Sequence, residues 1–325
     1  MTLIFFGSPE DAVPALISAL DAGHEVAAVY TRPDRQAGRS RRSRPTPVRV
    51  AAESLGLQVE TPKSLLDEET RQNLATVEAD IFVVVAYGRI LPPEILALPR
   101  LGVVNIHPSL LPRHRGPSPV STAILNGDAE TGVSLMLLDG GMDTGPLLTQ
   151  SPPVPLDGSE RAGELTARLF AIGAEMLPRT LAELRAGRIT PEPQDERVAT
   201  VTRLIEKDDG RIDWARSTEE MERMTRAFDP WPGAFTSLRG KILKVITAKG
   251  IALEENSPAE GEEVAVAEKN VAVPGSVRVH DHRMFVITGD GALELLSVQP
   301  EGRNPVTARD LINGRPDLNG AVLGG

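Results

Sequence analysis

The run Ile81-Phe82-Val83-Val84-Val85-Ala86 is six apolar residues long and lacks the polar alternation of a half-exposed strand. It is too short for a core helix and rich in β-branched side chains. It therefore predicts a strand buried on both faces, as in the middle of a parallel sheet covered by helices. Working outward, further short apolar runs at residues 3–6, 26–30, 103–107 and 133–138 predict companion strands. Between them lie helical patterns at 12–22, which ends at Gly23 in a position that suits a left-handed cap, and at 67–77 and 160–186. Alternation of this kind reads as an α/β, doubly wound, mostly parallel sheet.

The pattern then changes. Residues 190–209 carry proline and polar punctuation without a regular apolar period, and they read as a linker. Beyond them come a helix at 218–227 and short alternating strands at 234–238, 242–248, 275–279, 284–288 and 293–298. Short strands with close turns predict a small C-terminal β-barrel. The expected organisation is a domain at 1–189, the linker at 190–209 and a second domain at 210–325. The acidic stretch 254–270 reads as a solvated loop.

Bulk properties narrow the function. The chain has 325 residues and a formal charge of −10, which argues against whole-surface affinity for nucleic acid, so any such contact has to be local. One local candidate opposes the global sign: Arg32, Arg35, Arg39, Arg41, Arg42, Arg44 and Arg49 stand against Asp34 alone, punctuated by Pro33, Gly38, Pro45 and Pro47. A charge run is commonly just solvated, but forked guanidinium donors also suit an RNA backbone. No apolar run is long enough for a membrane span, and the chain opens on Leu3-Ile4-Phe5-Phe6-Gly7 without a leader pattern. With no cysteine present, the cytoplasm is the expected compartment.

Chemistry concentrates at two strand ends. Asn105 and His107 lie two apart, so their side chains share one face, at the carboxyl end where open parallel sheets bind ligands. The loop Pro108-Ser109-Leu110-Leu111-Pro112-Arg113-His114-Arg115-Gly116 follows, with Ser109 and main-chain amides as ligand donors. The stretch Asp139-Gly140-Gly141-Met142-Asp143-Thr144-Gly145 brings a carboxylate, Asp143, to the same edge. Amide, imidazole and carboxylate together suit acyl transfer to an amine, with donors for a developing oxyanion and a base for the proton. Alone, each has a plainer reading: His107 as a satisfied core histidine, Asn105 as a turn cap, Asp143 as an N-cap or Asx-turn residue. No metal site is expected, because His24, His107, His114, His280 and His282 are scattered. A dinucleotide site is disfavoured by Gly7-Ser8-Pro9-Glu10-Asp11-Ala12, which lacks the spaced glycines.

Taken together, Pro33-Asp34-Arg35-Gln36-Ala37-Gly38-Arg39, Val85-Ala86-Tyr87-Gly88, Asn105 to Pro112, Met142-Asp143-Thr144-Gly145 and Arg226-Ala227-Phe228-Asp229-Pro230-Trp231-Pro232 resemble the methionyl-tRNA formyltransferase family, over nearly the whole chain. That resemblance implies a Rossmann-like formyltransferase domain, an OB-like C-terminal barrel, and formyl transfer from 10-formyltetrahydrofolate to the α-amine of initiator methionyl-tRNA for translation initiation. It implies that Asn105 and His107 polarise the formyl oxygen and stabilise the tetrahedral intermediate, while Asp143 orients the imidazole and assists proton transfer. The folate would meet Val85, Tyr87, Gly88, Ile90, Leu91, Ser109, Leu110, Leu111, Pro112, Leu138, Asp139 and Gly141. The tRNA would meet Arg35, Arg39, Arg41, Arg42 and Arg44, with Lys241 and Lys244 in the barrel. No metal and no membrane partner are implied, and a monomer is expected.

The same trio serves relatives that formylate small amines, so the acceptor rests on the arginine-rich insertion and the second domain. An RNA-binding protein without activity is the reading of another class; it predicts no effect from replacing the trio. There are three departures from the family pattern: Asp11 stands where an aromatic near the methionyl side chain is usual, His114 stands for a more usual aromatic, and Pro117-Ser118-Pro119 stands for Ala-Ala-Pro.

Overall fold

A computed structural model describes residues 1–37, 42–252 and 273–324. The chain divides into two compact units: Met1–Val120, Glu130–Leu156 and Glu164–Arg203 form the first, and Ser121–Ala129, Asp157–Gly163 and Leu204–Gly325 form the second. In chain order the elements of the first half are β1 (Thr2–Gly7), α1 (Val13–Asp21), β2 (Glu25–Tyr30), β3 (Arg35–Ala37), β4 (Arg42–Arg44), α2 (Pro47–Ser54), β5 (Val59–Glu60), α3 (Glu68–Thr76), β6 (Ile81–Val85), α4 (Pro93–Leu96), β7 (Val103–His107), α5 (Pro119–Asn126), β8 (Glu130–Thr131), β9 (Ser134–Leu137), β10 (Leu147–Gln150), β11 (Val154–Pro155) and α6 (Ala162–Arg185).

The main sheet of the first unit has the order β10-β9-β7-β6-β1-β2-β5. The opening run, β6, sits fourth of seven with all five residues buried, as its unbroken apolar character predicts. Pairings from β7 through β6, β1 and β2 to β5 are parallel, whereas β9 runs antiparallel to both β7 and β10. Strand order reverses beside β1, so the carboxyl ends of β1 and β6 open the crevice where doubly wound sheets take ligands. Gly7 ends β1 there, and a Cβ on it would meet Phe5, Ala12 and the Val85 carbonyl at 2.7–3.2 Å, so the close approach needs glycine. Behind the crevice Phe6 stacks on Tyr30 at 5.0 Å and takes the edge of Tyr87 at 5.4 Å, within a core that also holds Phe82, Leu91 and Ile95.

The second unit contains α7 (Thr218–Ala227), β12 (Ala234–Leu238), β13 (Lys241–Ala252), β14 (Val277–His280), β15 (Arg283–Ile287), β16 (Gly291–Pro300), β17 (Val306–Thr307) and α8 (Ala308–Asn313). Ser217 and Glu220 form a capping box at the start of α7, which is why the helix begins where the sequence reading puts it. The strands make an antiparallel sheet in the order β12-β13-β16-β15-β14, with β17 added on β16.

Of the expected small barrel, the structure shows the antiparallel sheet: among the described residues no ladder joins β12 to β14. Residues 320–324 bond to both sides of this gap instead. Leu323 N donates to the Gly275 carbonyl at 2.8 Å and Gly324 N to the Ser237 carbonyl at 2.9 Å. With the Val277 N bond to the Ala321 carbonyl and the Gly320 N bond to the Val277 carbonyl, residues 320–323 make three main-chain bonds to 275–277, whereas Gly324 makes one to β12. The acidic stretch 254–270 lies outside the described residues.

Candidate active site

Asn105 and His107 occupy one face of β7 at its carboxyl end and are almost entirely buried. The Asn105 amide makes no hydrogen bond among the described residues, so its donors remain available to a ligand. His107 has a hydrogen-bond partner at one ring nitrogen and a carboxylate near the other. Its Nε2 lies 2.9 Å from the His114 carbonyl, which only accepts, so Nε2 carries the hydrogen and Nδ1 of the neutral ring is a bare acceptor. That Nδ1 is 3.6 Å from Asp143 Oδ2. Burial pulls the imidazole below its ordinary value, against the opposing pull of Asp143 and the His114 carbonyl. The ring is therefore neutral near pH 7, and a proton arriving at Nδ1 meets a carboxylate at once.

Asp143 is held from both ends. Its Oδ2 accepts from Gly116 N at 2.8 Å, and its backbone is left-handed at φ 55°. The turn His114-Arg115-Gly116 thus serves both partners, one through a carbonyl and the other through an amide. Gly116 has φ 100°, and a Cβ there would lie 2.7 Å from the Thr202 carbonyl, which ties this glycine to its place.

The residues expected at the folate pocket divide into two kinds. Val85, Tyr87, Leu91 and Leu111 are core side chains, and burial pushes the Tyr87 phenol up. Exposed along the same segment are Gly88, with φ 76°, and Ile90, 85% exposed. Ser109 is not a free donor: its Oγ donates to the Arg113 carbonyl at 2.6 Å and braces the loop. The loop is pinned again by Ser134, whose Oγ accepts from Leu111 N and donates to the Ser109 carbonyl. Leu110 and Pro112 are half-buried, as is Leu138. Asp139 Oδ1 accepts from Gly141 N and Thr144 Oγ1, closing the turn that carries Asp143. Asp11 is half-buried, its carboxyl raised by burial and by Glu10.

Beside Gly88 and Ile90, Lys63, Ser64, Leu65, Leu66, Arg89, Ile90 and Pro92 line a hollow of about 410 Å³. Arg89 is steadied by the Pro62 carbonyl, and Leu66 is exposed. Sequence reading passed over Lys63 and Arg89, since isolated cations carry no pattern.

It also passed over residues 192–202, read as linker. Glu192 and Leu147 exchange main-chain hydrogen bonds, Val201 bridges Arg115, and Gln194 and Thr202 are buried. These residues belong to the first unit.

Of the arginine-rich insertion, Arg35–Ala37 pairs antiparallel with Arg42–Arg44, setting Arg35 opposite Arg44. For Arg35 and Arg42 the description extends to the backbone; Arg44 is exposed. Arg39 and Arg41 lie outside the described residues. In the second unit Lys241 and Lys244 are exposed, but they stand at opposite parity on β13, and Arg239 is paired with Asp317.

Among the described residues no group of three or more His, Cys, Asp or Glu side chains is arranged to hold a metal ion, and no helix is long and apolar enough to cross a membrane.

Comparison with known proteins follows the same division. The Formyl transferase profile matches residues 1–181, and the profile described as Formyl transferase, C-terminal domain, matches residues 204–316. Methionyl-tRNA formyltransferase of Roseiflexus castenholzii (strain DSM 13941 / HLO8) is 47% identical over 326 residues, covering 100% of this chain and 99% of its own. The protein of the same name from Chloroflexus aurantiacus (strain ATCC 29366 / DSM 635 / J-10-fl) is 47% identical over 309 residues, 94% of each chain. Among solved structures, an N-formyltransferase from Helicobacter canadensis, in complex with folinic acid and dTDP-3-aminofucose, aligns with a TM-score of 0.63 at 18% identity over 92% of this chain and 98% of that one. HypX from Aquifex aeolicus in complex with tetrahydrofolic acid aligns with a TM-score of 0.61 at 17% identity over 96% of this chain, which spans 46% of HypX. At such identities the two structures speak for the fold.

Proposed function

This chain belongs to the formyl transferase family, and from that premise we propose that it moves the formyl group of 10-formyltetrahydrofolate to the α-amine of initiator methionyl-tRNA. The observation that carries the chemistry is an unbonded amide, Asn105, on the same strand face and edge as a neutral imidazole backed by a carboxylate. The acceptor is supported by full-length relatives that bear the methionyl-tRNA formyltransferase name at 47% identity.

The folate supplies the carbon at the formyl oxidation level, attached through N10. The residues present suit such a molecule. Exposed main chain at Gly88 and the open Asn105 amide suit a ring rich in donors and acceptors. The hollow that Arg89 and Ile90 line offers Leu66 and Ile90 to an aryl ring, and Lys63 and Arg89 to carboxylates. Nearly neutral walls with a cationic rim fit a flat aromatic acid.

An α-amino group has a pKa of about 8, so a useful fraction is already the free nucleophile near neutral pH. The bond that forms joins the amine nitrogen to the formyl carbon, the bond that breaks joins that carbon to N10, and one proton passes from the amine to N10. Asn105 donates to the formyl oxygen as charge builds on it. His107 acts differently from the reading in which it also polarises that oxygen: Nε2 is committed to His114, so Nδ1, beside Asp143, receives the proton and returns it. Asp143 stabilises the imidazolium formed in between.

The finer parts of the proposal are the use of the C-terminal sheet as an OB-like nucleic-acid surface, the insertion at Arg35 to Arg44 as the acceptor-stem contact, and action as a monomer in the cytoplasm. A formylation assay that sets charged initiator tRNA against a nucleotide amino sugar and glycinamide ribonucleotide tests the whole. Formylation of tRNA alone is expected, and formylation of a small amine alone would overturn it.

A further inference from the structure

Gln194 is buried in a segment without regular secondary structure, yet every polar atom of its side chain is used. The amide Nε2 donates to the Asp143 carbonyl at 2.8 Å and to the Gly145 carbonyl at 2.7 Å, while Oε1 accepts from Arg115 Nε at 2.9 Å. Two carbonyls on one side and a guanidinium on the other fix which end of the amide is nitrogen. Arg115 is itself buried and locked by a two-pronged pair with Glu196 at 2.9 and 2.7 Å.

Around this amide, residues 200–202 grip the turn that serves His107 and Asp143. His114 N donates to Thr200 Oγ1, Arg115 N to the Thr200 carbonyl, and both Thr202 N and Thr202 Oγ1 donate to the Arg115 carbonyl. Ser118 N donates to Thr202 Oγ1. The turn therefore has little freedom to rotate while these bonds hold.

We propose that Gln194 is a positioning residue for formyl transfer, pinning the left-handed backbone at Asp143 so that its carboxylate stays opposite His107. The inference rests on the reaction assigned above. A left-handed aspartate relaxes readily to ordinary backbone if nothing holds its carbonyl, and the carboxylate then swings away from the ring. Gln194 touches neither reacting atom and acts only through the main chain of Asp143 and Gly145. The charged and titratable groups facing the pair are few: His114 beside the ring, Arg115 beside the carboxylate, and Asp139 beyond Arg115. Loss of Asp143 from its place therefore removes the principal opposite charge at the imidazole.

The test uses the full chain carrying Gln194→Leu, which removes both donors at similar volume, and in parallel Gln194→Glu, which keeps the shape and the acceptor toward Arg115. In steady-state transfer to methionyl-tRNA, kcat is expected to fall on the order of tenfold to a hundredfold, with KM for both substrates little changed. The His107 imidazole, followed by NMR and assigned with His107→Gln, is expected to titrate at lower pH in the leucine variant, which adds no charge of its own. A kcat within about twofold of the parent, or a loss confined to KM, would overturn the proposal, as would an unmoved titration. The NMR readout needs no acceptor, so a displaced titration in a protein whose parent form transfers no formyl group upholds Gln194 and overturns the reaction instead. If the leucine variant does not fold, the glutamate variant decides by the split of kcat against KM.

Discussion

His107 Nδ1 and Asp143 Oδ2 stand 3.6 Å apart, and both residues are tied to one turn, the first by the His114 carbonyl and the second by the Gly116 amide. The separation is longer than a hydrogen bond, as befits a neutral ring with its hydrogen on the other nitrogen. It becomes an ion pair once Nδ1 is protonated.

Replacing Asp143 by Asn removes that charge and keeps the shape. Transfer to methionyl-tRNA in single-turnover experiments is expected to slow by about 10²-fold to 10⁴-fold, with folate affinity largely retained. Asn105→Ala is expected to cost about 10²-fold to 10³-fold in the same step, the size found for one oxyanion donor. Equal rates for parent and variants would mean that the chemistry lies elsewhere.

Stability should depend on pH through His107. The folded ring is held below its unfolded value of about 6.5, so as pH falls past that value the unfolded chain takes up a proton and the folded one does not. Stability is therefore lost between about 6.5 and the lower folded value, and is level above that window. His24 is lowered too, first by burial and then by the amino terminus and Arg185, and it adds a fall of the same sign. Urea midpoints at pH 7.5 and 5.5 should diverge more for the parent than for His107→Gln, which lacks the His107 contribution.

Gly116→Ala places a Cβ 2.7 Å from the Thr202 carbonyl on a backbone at φ 100°. The expected destabilisation is about 1–3 kcal/mol by urea unfolding, with a loss of transfer rate because the turn also orients Asp143. Gly140→Ala, where an added Cβ meets nothing within 4 Å, serves as the contrast and should be near neutral in stability.

Exposed Arg44, opposite Arg35 across a two-stranded ladder, gives the proposed tRNA interface a described anchor. Arg44→Ala should reduce the salt slope of tRNA affinity by about 0.7–0.9 for each phosphate that the guanidinium neutralises, while leaving folate binding intact. Filter binding over a salt series measures it; an unchanged slope removes Arg44 from the interface.

Much of this was readable from residue order. The apolar run at 81–85 could only sit inside a sheet, and the two-residue spacing of Asn105 and His107 put both on one face before any coordinates. What stayed hidden were relations between distant stretches. Ser109 looks like a ligand donor until its hydroxyl is found bonded to Arg113, and Tyr87 looks like a pocket wall until Phe6 is found against it. Gln194 sits among prolines and charges, where no periodicity announces a buried side chain; its place is set by carbonyls some fifty residues upstream.

The turn at 114–116 grips its two clients with main-chain atoms, and this has an evolutionary consequence. A carbonyl belongs to every amino acid, so the hold on the imidazole can be kept by any residue at 114 that tolerates burial and a left-handed backbone at φ 58°. Position 116 has no such latitude, because the Thr202 carbonyl already fills the room a side chain would take. Two positions of one turn are thus limited in different ways, the first by burial and its left-handed backbone, the other by the lack of room for any side chain.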